Sequence, residues 1–109
     1  VYAGMTVFHG CSQKWLRLMA SLAGTPNLEW FLGLFGSQFE TEAQELGLSL
    51  YEYAQQLAGS VPIGSAGVLY HPYLLAGGER APFTNPDARA SFTGLSVRNT
   101  KADLLRAVY

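Results

Sequence analysis

Cysteine is nearly absent from this 109-residue sequence: Cys11 stands alone, which excludes an internal disulfide and fits a reducing, cytoplasmic setting. Charge is scarce as well, at 14% of residues against about 25% in an average soluble domain. The net charge is −1, so there is no basic footprint for nucleic acid or for an acidic membrane surface. Long apolar runs are missing too, because Lys14 and Arg17 interrupt the best one before it could span a bilayer. Nothing at the start reads as a secretion signal, and no methionine opens the chain. The last residues, 103–109, form a helical pattern with no Gly, Asn or Pro to stop it, so both ends read as cuts in a longer polypeptide. His9 and Cys11 lack a second ligand pair at metal-site spacing, and no Ser, His and Asp set has a nucleophile's arrangement.

What is present is apolar. Hydrophobic residues make up 49%, enough for one packed core in a chain too short for two. A small domain has much surface to cover and should need more charge, not less. The deficit implies a face hidden against another domain or subunit, a homodimer included.

Along the chain, residues 1–8 have strand composition, and residues 12–22 fit either a helix or a strand with a loop. Thr25-Pro26 opens a helix over about 26–35, since proline is tolerated at the first helical position. Leu28, Phe31, Leu32 and Phe35 form its apolar stripe, and Gly36 can end it. Two S-x-x-E sequences, Ser37 to Glu40 and Ser49 to Glu52, predict capping boxes. They would open helices at about 39–46, stopped by Gly47, and about 50–58, stopped by Gly59. The second of these is expected to bury Leu50, Tyr53, Ala54 and Leu57. Residues 60–67 read as a loop and 68–75 as a buried strand whose end or edge holds Pro72. A polar loop follows to a turn at Asn85-Pro86-Asp87, then a short strand at about 90–95. Thr100 with Asp103 caps the last helix. The order is that of an α/β domain, with strands 1–9 and 68–75 expected in one sheet under the helices at 26–35 and 100–109.

The second half is more specific. His71-Pro-Tyr-Leu-Leu-Ala-Gly-Gly-Glu-Arg-Ala-Pro82, then Asn85-Pro-Asp-Ala-Arg89, resembles the PYL-x-GERxP … PDAR region of the FGGY carbohydrate kinases. Ala90-Ser-Phe-Thr-Gly-Leu95, a seven-residue spacer and Asp103-Leu-Leu-Arg-Ala-Val-Tyr109 resemble that family's C-terminal signature, whose final acidic position falls one residue beyond Tyr109. Upstream, Gly24 and Asn27-Leu-Glu-Trp-Phe31 are similar to the glycine and helix of the same domain in pentulose kinases of the L-xylulose type.

The resemblance implies part of a ribonuclease-H-like domain of the actin and hexokinase type, on the nucleotide side and truncated at both ends. It implies an incomplete sheet with flanking helices. The activity implied is transfer of the γ-phosphoryl of ATP, with Mg²⁺, to a hydroxyl of a ketopentose or related polyol or sugar acid. The catalytic aspartate and the adenine site would lie outside these residues, so none here is catalytic, none binds metal, and the segment alone would be inactive. Its partners would be the sugar, ATP and the N-terminal lobe of the same polypeptide. The competing class is a binding module that keeps a kinase half-domain without catalysis.

Gly24 has two readings. It is an ordinary turn before a helix, or, on the resemblance, a place where backbone N–H groups approach a phosphate. Related kinases carry a Gln or Asn a few residues on. Glu29 occupies about that position, one residue further along, with a carboxylate that would repel phosphate. Glu79 and Arg80 read as a brace near the cleft rather than a substrate contact, or as a surface ion pair, while Asp87 and Arg89 hold the adjoining turn. His71, Trp15, Trp30 and Phe31 are expected in the core, and Asp103 is explained by its place in a helix's first turn.

Overall fold

The computed structural model describes residues 4–81 and 83–109. Val1, Tyr2 and Ala3 of the first expected strand, and Pro82 of the motif at 71–82, lie outside the described residues. The chain opens with strands β1 (Met5–His9) and β2 (Lys14–Leu18), paired antiparallel across a short turn, with Met5 opposite Leu18 and His9 opposite Lys14. The ambiguous stretch at 12–22 is therefore a strand, at Lys14–Leu18, with a loop after it. The helical alternative fails because a few residues of turn let 14–18 close a ladder with its neighbour at once.

Three helices follow: α1 (Thr25–Leu34), α2 (Gly36–Glu45) and α3 (Leu50–Gly59). Pro26 lies in the first turn of α1, where no carbonyl awaits its missing N–H. Gly36 does not stop α1. It begins α2, and Phe35 serves as the joint between the two. The Ser37–Glu40 capping box does not form, because Ser37 already lies inside α2, where its carbonyl accepts from Thr41 Oγ1 at 2.8 Å. Gly47 does stop α2. With φ of +67° it takes the left-handed conformation that glycine favours. Its N–H bonds to Gln44 O and that of Leu48 to Ala43 O, which satisfies two carbonyls at the helix end.

Ser49 and Glu52 form the expected capping box of α3, with Ser49 N donating to Glu52 Oε2 at 2.9 Å. That helix runs through Gly59, and Ser60 caps it. It buries Tyr53, Ala54 and Ala58, whereas Leu50 and Leu57 are half-buried. After a tight turn at Ser65–Gly67 come β3 (Leu69–His71) and β4 (Ser91–Thr93), antiparallel, and then α4 (Lys101–Val108). Pro72 ends β3, as its lack of a donor requires. The strand is shorter and more exposed than expected: Val68 is buried, but Leu69 is exposed.

Among the described residues the strands form two separate two-stranded sheets, β1–β2 and β3–β4, so the expected union of 1–9 with 68–75 does not occur. Each strand pairs with its partner across a local turn or loop instead. The helices do pack as expected at one of these sheets, with Phe31 of α1 meeting Phe92 of β4 at a centroid distance of 6.0 Å. The core lies among α1 to α4 and is built from Phe31, Leu32, Phe39, Ala43, Tyr53 and Leu105 with their neighbours. Phe39 sits at its centre, 5.3 Å from Phe35 and 5.7 Å from Tyr53 by ring centroids. Trp15 and Trp30 are not core residues. Trp15 pairs edge-on with Phe8 at the surface, and Trp30, 37% exposed, stacks on Tyr70 at 6.5 Å.

Candidate functional site

The segment between β2 and α1 is where the sequence-derived candidates gather. Glu79 reaches it from the loop after β3. The carboxylate is buried, and Oε1 accepts from the backbone N–H groups of Arg80 at 2.7 Å, Ala81 at 3.3 Å and Leu22 at 3.3 Å. Oε2 accepts from Ser21 Oγ at 3.0 Å. These bonds, that from Arg80 foremost, hold the carboxyl below its ordinary range although burial pushes it up.

Gly78 makes this loop possible. It has φ of +70°, and a Cβ there would collide with the backbone of Asn85 and Pro86. Those residues are held close because Glu79 and Asn85 exchange both backbone hydrogen bonds, at 2.9 and 2.8 Å. The turn beyond is closed by Asn85 Oδ1, which accepts from Asp87 N, and by Arg89, which donates to Pro86 O and Ala88 O.

Arg80 is exposed and its Nε donates to Ala20 O at 3.4 Å. Glu79 and Arg80 therefore act on the same segment from one loop, through separate contacts rather than as an ion pair. A cleft of about 330 Å³ lies beside them, lined by Gly4, Met5, Leu18, Ala20, Arg80 and Ala81.

Gly24 is exposed and caps the N-terminus of α1. Its φ is −110°, and a Cβ built on it meets nothing within 4 Å. Pro26 has no N–H, and that of Asn27 bonds to Gly24 O at 3.0 Å. Among the described residues, the N–H groups of Gly24 and Thr25 have no protein partner. Glu29 is exposed, one turn further along α1. The structure thus brings Gly24, Glu79 and Arg80 to one segment and leaves Glu29 on the helix surface.

Two groups escaped the sequence reading. Asn27 is buried, its amide bonded to Ala23 O, Gly24 O and Tyr70 Oη, and burial pushes the Tyr70 hydroxyl pKa up. The available signal was an amide four residues before Phe31, on the buried face of α1. Glu42 of α2 accepts from Lys101 Nζ of α4 at 2.5 and 2.6 Å, from Tyr53 Oη of α3, and from Gln38 Nε2 at 3.0 Å. The bond from Lys101 above all lowers its pKa to about 2. Burial first, and Glu42 second, push Tyr53 up to about 12. Gln38 stands four residues before Glu42 on α2, but no spacing rule links Glu42 to Tyr53 or Lys101.

His71 is half-buried beside Tyr73, at 6.3 Å between rings, rather than a core residue. His9 is exposed at the end of β1, where its Nδ1 meets Ser12 Oγ at 2.8 Å. Among the described residues no group of His, Cys, Asp or Glu could hold a metal ion, and no helix is long and apolar enough to cross a membrane.

Comparison with known proteins agrees with the motifs. The profile of the FGGY family of carbohydrate kinases, C-terminal domain, matches residues 6–109. The chain is 42% identical to a gluconokinase of Bacillus subtilis (strain 168) over 80 residues, 73% of this chain and 15% of that protein. It is 36% identical to a xylulose kinase of Staphylococcus epidermidis (strain ATCC 12228) over 100 residues, 92% of this chain and 18% of that one. An erythritol kinase of Brucella abortus (strain 2308) is 34% identical over 93 residues, 84% of this chain and 18% of its own. Among solved structures, a ligand-bound xylulose kinase from Lactobacillus acidophilus superposes with a TM-score of 0.67 at 26% identity, covering 86% of this chain and 17% of that one. A xylulose kinase from Rhodospirillum rubrum gives 0.63 at 30% identity, covering 86% and 17%. The chain spans less than a fifth of the length of these relatives. Its small sheets and helices are a portion of the actin-like ATPase fold of these kinases. Both the residues and the fold lead to one assignment: the chain belongs to the FGGY family of carbohydrate kinases, as a segment of its C-terminal domain.

Proposed function

We propose that this segment belongs to the nucleotide-side lobe of an ATP-dependent sugar kinase, and that it has no activity apart from the rest of that polypeptide. The observation that carries the reading is the family match over residues 6–109. The complete protein would move the γ-phosphoryl of ATP to a hydroxyl of a ketopentose, polyol or sugar acid. A carboxylate supplied from elsewhere in the polypeptide would take the hydroxyl proton. The enzyme acts in the cytoplasm, where ATP is supplied and the exposed thiol of Cys11 stays reduced. Mg²⁺ accompanies the nucleotide. No described group of side chains in this segment fits a metal, so ligands beyond the phosphates would come from other parts of the protein.

Within the segment, the turn at Gly24 faces the phosphates. Two features support this: Gly24 and Thr25 are exposed residues whose N–H groups have no partner among the described residues, and they stand at a helix N-terminus, where anions are favoured. Glu29 is assigned no phosphate contact, since its carboxylate would repel one. The test is Gly24→Val in the full-length protein, with Gly24→Ala beside it. A Cβ at Gly24 meets open space, but its ψ of −102° lies outside the regions that side-chain-bearing residues favour, so a thermal melt accompanies both variants and only folded protein is compared. For Gly24→Val, kcat/KM for ATP should fall by about 1–3 kcal/mol while the KM for sugar changes little. Normal ATP kinetics in a stably folded Gly24→Val protein would withdraw the nucleotide role of this turn.

A further inference from the structure

Asn27 is 5% exposed, and both ends of its side-chain amide are in use. Nδ2 donates to Ala23 O at 3.0 Å and to Gly24 O at 3.2 Å, and Oδ1 accepts from Tyr70 Oη at 2.7 Å. Tyr70 is itself held, stacked on Trp30 and packed against Phe92 with ring centroids 4.7 Å apart. The amide is therefore oriented in one sense. Flipped, its oxygen would face two carbonyl oxygens and its NH₂ would face a hydroxyl.

The consequence lies in the geometry of the peptide unit. In a trans peptide the C=O and the following N–H point in opposite directions. Ala23 O shares a peptide with Gly24 N–H, and Gly24 O shares one with Thr25 N–H. One amide draws both carbonyls inward, so both N–H groups are turned outward, and these are the two that no described residue satisfies.

We propose that Asn27 and Tyr70 are a positioning pair that aims the Gly24 and Thr25 N–H groups at the nucleotide phosphates. This rests on the reading of Gly24 given above. Neither side chain touches the nucleotide; Asn27 acts through the two carbonyls it binds, and Tyr70 acts through Asn27.

The test uses the full-length kinase with Asn27→Leu, which keeps the four side-chain heavy atoms and their branching and removes all three bonds, and Tyr70→Phe, which removes one hydroxyl and keeps the ring packing. Each is measured for KM of ATP, KM of sugar, kcat and Tm. Asn27→Leu should raise the KM for ATP about tenfold and Tyr70→Phe about threefold, with the sugar KM within about twofold. In a Gly24→Val background, Asn27→Leu should add little further loss toward ATP, because both changes remove the same contact. If Gly24→Val impairs ATP use while folded Asn27→Leu and Tyr70→Phe proteins keep their ATP KM, the pair is merely structural and the inference falls, leaving the role of Gly24 intact. A lowered Tm with unchanged ATP KM overturns the inference in the same way. If Gly24→Val is itself silent, the reading beneath the inference fails and the pair goes with it. Should Asn27→Leu not fold, the milder Tyr70→Phe decides.

Discussion

The β1–β2 hairpin and the four-helix cluster are both rich in apolar residues, yet they use them in opposite ways. All ten strand residues of the hairpin are exposed, Trp15 by 71% and Phe8 by 52%. In the cluster Phe39 and Leu105 are 0% exposed and Phe31 is 1%. The register of the hairpin places Met5, Val7, Leu16 and Leu18 on one face, and Thr6, Phe8, Trp15 and Arg17 on the other. A two-stranded ribbon cannot cover either face by itself, whereas four helices enclose a common interior. Apolar composition thus reports that a surface is to be buried, not that this segment can bury it. The low charge content has the same origin: many of the large apolar side chains stand at the described surface.

The comparison can be broken most forcefully in the cluster. Phe39→Ala empties its centre and should cost residues 1–109 about 3–5 kcal/mol in urea unfolding. A loss below about 1 kcal/mol would mean that the helices do not enclose a core of their own. A smaller effect is expected at the Glu42 junction of α2, α3 and α4. With its pKa lowered from 4.5 to about 2, Glu42 contributes stability that is fully present above about pH 4.5. That contribution is lost as pH falls toward 2. Glu42→Gln should flatten the acid limb of stability against pH in that window, leaving the slope due to Glu79 and Glu52, whose pKa values are also lowered. An unchanged acid limb would show that the junction is not closed in solution.

The smallest effect is expected in the hairpin. Trp15→Ser should shift the stability of residues 1–109 by less than about 0.5 kcal/mol. In the full-length protein, where the remaining chain has the chance to cover the hairpin, the same change should cost more than about 1 kcal/mol. Equal losses in the two contexts would remove the contrast on which the comparison stands.

Much of the local architecture was legible in advance. The capping boxes at Ser49–Glu52 and Thr100–Asp103 form, Gly47 ends α2, and Pro72 sits just past β3. Each depends on residues a few positions apart, whose competing structures are few. Ser37 failed under the same rule because α2 had already begun at Gly36. A cap works only where the preceding chain is free to leave the helix, and here α1 delivers the chain almost directly into α2. Of the candidate site, the motif at 71–89 and the glycine before α1 marked two stretches that the fold brings together, and the geometry there is set by Glu79 reaching Ser21 and Leu22.

The sequence by itself marked the four helical segments, the stop of α2 at Gly47 and, through the motif at 71–89 and the signature at 90–109, the kinase family. Those features depend on neighbouring dihedrals, caps and residue order, which are written along the chain. Tertiary structure alone decided that Glu79 meets Ser21 across 58 residues, Asn27 meets Tyr70 across 43, and Glu42 meets Lys101 across 59. It also decided that Trp15, expected in the core beside Phe31, lies outside while Phe31 lies inside as its apolar stripe predicts. A buried polar group binds whatever donor the packed helices and loops bring within about 3 Å, and burial depends on which surfaces enclose one another. A distant partner has no period along the chain, and a periodic apolar stripe reports which face is to be buried but not what will enclose it.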